Sequence, residues 1–219
     1  SAASDVYKRQ VIDHCAYFLM DEHTMMYDAM RCAGRIAFPV FAFLIAEGFA
    51  YTHNRKRYFA QLLSFAILSE VPWYLLNGAD GTHNVIFTLA LGVVALAVLD
   101  KMKGNSILCG VAILSIACFA TWLGTDYEWR GILMIFVFNL LRNQNMNLPF
   151  PYGRMMQLFC TFPLMMHYGS IGALLACMVI FLYDGTRGFI KGNAAKYGFY
   201  AFYPAHLLLI WCTITFSAH

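Results

Sequence analysis

Charge is what this sequence has least of. Asp, Glu, Lys and Arg together supply 12% of its 219 residues, about half of what an ordinary soluble domain carries. The 60% that is hydrophobic, with a mean hydropathy of +0.58, excludes a conventional water-soluble core and calls for a lipid solvent. A net charge of +3 is too small to argue for nucleic acid, and no nucleic-acid partner is expected. Cysteine carries no pattern either: seven are scattered, mostly inside apolar runs, so neither a disulfide framework nor a metal knuckle is readable. They read as small hydrophobes. Also missing are a Gly-rich phosphate loop, a GxSxG elbow and any metal-ligand spacing, so no metal is expected. The apolar runs lack the period-two alternation of a membrane barrel.

What is present divides into runs of helical length. The opening residues are set apart first: Asp5 to Gln10, DVYKRQ, back-translates to a transposon end used in sequencing-library preparation. Residues 1–10 are therefore expected to be adapter read-through, and 11–219 a single transmembrane helical domain. The remnant 11–20 is then too short to cross ~30 Å of hydrocarbon at ~1.5 Å per residue, so the first helix is expected to be truncated. The other runs are 29–52, 58–76, 85–100, 106–123, 131–141, 154–166, 170–183 and 197–217. The expectation is an all-α, polytopic transmembrane bundle of about nine helices, some short enough to require tilt or re-entry.

Basic residues set the orientation. His53 to Arg57 form the strongest anchor, and the alternate loops with Lys101 and Lys103, Arg142 and Arg154, then Arg187, Lys191 and Lys196 agree with it. The intervening loops hold Asp21, Glu22 and Asp28, then Asp80, then Asp126 and Glu128. A multi-pass protein of the cell membrane with basic loops in the cytoplasm follows.

Against that frame, Asp13, His14, Arg35 and Glu70 lie inside apolar stretches, where a charge costs several kcal/mol unless paired, hydrated or used. His14, Arg35 and Glu70 each fall about six residues from an outer helix end, or ~9 Å below the outer boundary. Asn84 and Thr88 open the next helix on the same side, so a polar chamber in the outer half of the bilayer satisfies them all. Adjacent helical residues point ~100° apart, so Asp13 is expected to bond outside its own helix rather than to His14. Glu47 is expected to meet a basic loop or to snorkel. Pro39, Pro163 and Pro204 each remove an amide and predict kinks, the last within a segment bearing Tyr200, Tyr203 and His206.

These segments also carry a resemblance. GRIAFPVFAFLIAEGFAYTHNRKRY, LLSFAILSEVPW, NVIFTLALGV, DYEWRGILMI and KYGFYAFYPAHLLLI follow in order, preceded by IDH at Ile12 to His14. Together they resemble the TraX family of membrane proteins, named for the conjugation-associated acetylase of the pilin amino terminus. More distantly, the chain is similar to transmembrane acyltransferases that use a first-helix histidine, matched here to His14. The resemblance implies an acetyltransferase that takes acetyl-CoA as acyl donor and acts on a pilin-like amino terminus or another cell-envelope molecule.

Residue chemistry fits that implication. His14 is the candidate base, with Asp13 or Glu70 as orienting carboxylate. Arg35, Asn84 or the Tyr203 hydroxyl would donate to the thioester oxygen as it becomes negative. His206 would line the path to a cytoplasmic donor or handle the acyl group itself, and His53 to Arg57 with Lys191 to Lys196 would attract the donor's phosphates. Two other classes stay open: a proton-coupled carrier or channel using the same ionisable residues, and a scaffold whose polar groups only hold helices together.

Overall fold

The computed structural model describes residues 2–102, 104–142, 149–183 and 193–217. Lys103, Arg187 and Lys191 among the expected basic anchors lie outside the described residues, as do the side chains of Lys196 and Tyr200. The fold is all-α, with no named strand among the described residues. Its helices are α1 (Ala2–Leu19), α2 (Met25–Arg35), α3 (Ala37–Tyr51), α4 (Arg55–Asn77), α5 (Val85–Lys101), α6 (Ser106–Trp122), α7 (Glu128–Leu140), α8 (Tyr152–Met166), α9 (Ser170–Phe181) and α10 (Asn193–Ser217). Helices α2 and α3 together form the second helix expected from the sequence, and its interruption at Ile36 has a local cause. Pro39 has no amide to offer the carbonyl of Arg35, and the next bond, from the Val40 amide to the Ile36 carbonyl, is stretched to 3.5 Å. Pro72, Pro163 and Pro204 sit inside α4, α8 and α10.

Two compact units emerge: Ser1–Phe41, Ser69–Gly78 and Met165–His219 form the first, Ala42–Leu68 and Ala79–Leu164 the second. In the first, α1 packs on α2 and α10, and α9 packs on α2. Gly34 permits the closest of these approaches, because a Cβ there would collide with the Asp13 side chain. The second is built on α5, α6 and α7. Cys109, Ile113, Ala117 and Ala120 recur at helical spacing along α6 and pack with Ala95 and Ile132 into a buried core.

The opposite face of α6 is equally apolar yet uncovered: Ile107 is 82% exposed and Trp122 78%, with Val111 and Leu114 between them. In water such a surface would drive association. Two stretches, Met25–Tyr51 and Arg55–Asn77, are long and apolar enough to cross a membrane, and the apolar window of the second is only 22% buried. A soluble protein's core helix would be covered. The apolar exterior and these two stretches point to a membrane protein.

Polar groups close the second unit at both ends. Asn84 caps α5 by accepting from the Ile86 amide at 3.1 Å and ties α5 to α4 by donating to the Ala66 carbonyl at 2.9 Å. The Thr88 hydroxyl donates to the Asp126 carbonyl. Glu47 accepts from Arg142 at 3.2 Å while that guanidinium stacks 4.7 Å over Tyr51. Arg55 pairs with Asp100 and lies over Phe49.

Candidate functional site

The first unit brings together two histidines that are far apart in sequence. Asp13 and His14 sit on α1, and His206 and Tyr203 share one face of α10 at a spacing of one turn, both nearly fully buried. His14 Nδ1 and His206 Nε2 are 2.8 Å apart, with the rings stacked at a centroid distance of 5.0 Å. The other ring nitrogen of His206, Nδ1, lies 2.9 Å from the Phe202 carbonyl.

This chain of contacts fixes the tautomers. A carbonyl only accepts, so the neutral His206 ring carries its proton on Nδ1 and presents a lone pair at Nε2. His14 must then donate from Nδ1, which leaves its own Nε2 with a lone pair. Tyr203, Phe18 and Trp73 stand around that imidazole at centroid distances of 6.0, 6.3 and 6.4 Å. An oriented, aromatic-walled imidazole that keeps a lone pair on one nitrogen is suited to proton abstraction or nucleophilic attack.

Asp13 bonds outside its own helix, as expected. Its Oδ1 accepts from Arg31 Nη1 at 2.8 Å, and the Arg31 guanidinium lies 5.0 Å from the Tyr17 ring centroid. Sequence reasoning missed Arg31, although its spacing of four from Arg35 puts both on one face of α2. Arg35 itself corrects the expectation of a buried charge: it is exposed. It stands at the end of α2, and its side chain runs over the start of α9, where Gly169 and Gly172 leave room. A Cβ at Gly169 would approach Arg35 Nη1 to 2.9 Å, and one at Gly172 would approach Arg35 Cβ to 3.1 Å.

Glu70 is half-buried on α4, three residues from Trp73 and thus on the same side of that helix. Next to it, the fully buried Ser69 hydroxyl has no hydrogen-bond partner among the described residues. Nothing along the chain singles out Ser69, because a serine in an apolar helix usually returns its proton to the preceding turn. Asn84 belongs to the second unit, where it acts as the cap described above. Among the described residues no group of three or more His, Cys, Asp or Glu is arranged to hold a metal. The Lys191 to Lys196 cluster lies outside the described residues or, from Asn193 on, has undescribed side chains.

Comparison with known proteins agrees with the motifs. A probable fimbrial assembly protein FimC, serogroup H1, of Dichelobacter nodosus is 27% identical over 221 aligned residues, covering 91% of this chain and 88% of that protein. No solved structure matches. The match to the TraX protein family extends over residues 9–214, which takes in both histidines, both arginines of α2 and nearly every helix, and the chain belongs to that family.

Proposed function

We propose that this protein is a multi-pass membrane acetyltransferase. It moves an acetyl group from acetyl-CoA to an amine or hydroxyl at or beyond the outer membrane face, in the service of fimbrial or pilus assembly. Its basic loops face the cytoplasm. Family membership and the fimbrial relative support the assembly role. The observation that carries the chemistry is the His14–His206 contact, which leaves His14 Nε2 as a base.

In the transfer, the acceptor nitrogen or oxygen attacks the thioester carbonyl carbon and gives its proton to His14 Nε2. Collapse of the tetrahedral intermediate breaks the carbon–sulfur bond, and the proton on His14 passes to the departing thiolate. The products are the acetylated acceptor and free CoA. Asp13 holds Arg31 beside the base, and the Tyr203 hydroxyl is the candidate donor to the oxyanion.

Labelled acetyl-CoA and the purified full chain test this. Acetyl transfer to an amine or sugar acceptor is expected, with His14→Ala losing roughly 100-fold or more of the rate while still inserting in the membrane. A protein that neither binds nor turns over acetyl-CoA would end the proposal, and counterflow across sealed vesicles dependent on Glu70 or Asp13 would replace it with a carrier. Full activity in His14→Ala would remove that residue from the chemistry.

A further inference from the structure

The electrostatics around Asp13 do not balance. One carboxylate faces two guanidiniums: Arg31 bonds it at 2.8 Å, and Arg35, one turn further along α2, also acts on Asp13 through its charge. Among the described residues Arg35 takes part in no ion pair or hydrogen bond, and the buried Arg31 Nε has no hydrogen-bond partner. The planar fork of a guanidinium suits an oxyanion, and half-buried Arg31 still has its Nε to match. Arg35 is also aimed. Its Cβ lies against Gly172 and its guanidinium against Gly169, so the start of α9 holds the whole side chain in one place. Asp13, which Arg31 bonds, is the residue next to His14 on α1, and the charge of Arg31 also acts on His14.

We propose that Arg31 and Arg35 form an oxyanion subsite beside His14, and that the acyl acceptor carries a carboxylate or phosphate next to the amine or hydroxyl it presents. This rests on the acetyl-transfer reading for the word acceptor, while the subsite itself rests on the charge count and on the position of Arg35. Anchoring the anion on α2 holds the neighbouring nucleophile close to His14 Nε2, and it selects against neutral amines of the same length.

Three short amines test it with the purified full chain in detergent: phosphoethanolamine, β-alanine and ethanolamine, with binding measured by calorimetry and acetylation by labelled acetyl-CoA. At least one of the two anionic amines is expected to bind tenfold or more tightly than ethanolamine, and which one does so separates a phosphate-bearing from a carboxylate-bearing acceptor. Arg35→Gln is expected to abolish the preference and Arg35→Lys to restore part of it, each variant being checked for native helicity. Equal binding of all three amines, no binding of any, or a preference that survives Arg35→Gln would overturn the subsite. So would competition by CoA lacking an acetyl group, since the oxyanion would then belong to the donor. Tight binding of the anionic amines without acetylation would leave the subsite standing and remove the transferase, whereas acetylation of all three without preference would do the reverse.

Discussion

At the scale of single residues, the role assigned to His206 is to position His14, and it makes a separable prediction. His206→Ala removes the acceptor that holds the His14 proton on Nδ1, so both tautomers of His14 become accessible and the rate of transfer should fall at least about tenfold, about 1.4 kcal/mol of barrier. Gln at 206 keeps an acceptor oxygen and should recover part of the loss, and the pH–rate profile should move in Ala but less in Gln. Unchanged profiles in both variants would reduce His206 to packing. Asp13→Ala acts differently, since it leaves two guanidiniums facing each other across one turn of α2 with no carboxylate between them. Loss of the charge-assisted bond to Arg31 should cost roughly 1.5–3 kcal/mol, visible as a lower unfolding temperature in detergent. Because the pair is part-buried, with the two side chains 23% and 18% exposed, solvent screening favours the lower end of that range.

At the scale of elements, the site depends on how closely α1 approaches α2. Gly34 is the contact that sets this distance, because any Cβ there meets the Asp13 side chain. Gly34→Ala should therefore drive α1 away from α2, break the Asp13–Arg31 pair and weaken transfer. Its stability cost should be roughly 1–3 kcal/mol, as for other overpacked positions. A matched change at Gly110, where a new Cβ meets nothing, should be silent by comparison. Equal melting temperatures and rates for the two variants would show that the approach of α1 to α2 does not govern the site. The interruption at Ile36 falls directly after Arg35, whose guanidinium lies over Gly169 at the start of α9.

At the scale of the whole molecule, the exposed apolar faces of α4 and α6 decide the solvent. The protein should remain in the membrane pellet after alkaline carbonate washing, and release into the supernatant would contradict the apolar exterior. Sidedness is a further expectation from the basic loops. In a cysteine-free background, Asn54→Cys should be shielded from a membrane-impermeant maleimide in intact cells and Asp80→Cys should be labelled. The reverse pattern would turn the proposed outer-face chemistry toward the cytoplasm. The sequence by itself determined the class of the molecule: low charge, helical-length apolar runs and ordered motifs were enough for an all-α membrane protein of the TraX family, because these signals are local or compositional. Proline chemistry at Pro39 and the spacing of Asp13 from His14 were legible for the same reason, as each concerns a few neighbouring residues. Partnership was not. Only the tertiary structure decided that His14 meets His206, that Asp13 belongs to Arg31, that Arg35 is exposed over α9 and that Asn84 is spent as a cap in the other unit. Those outcomes depend on which helix faces come together at long range, and the spacing of residues along a single helix carries no record of its neighbours.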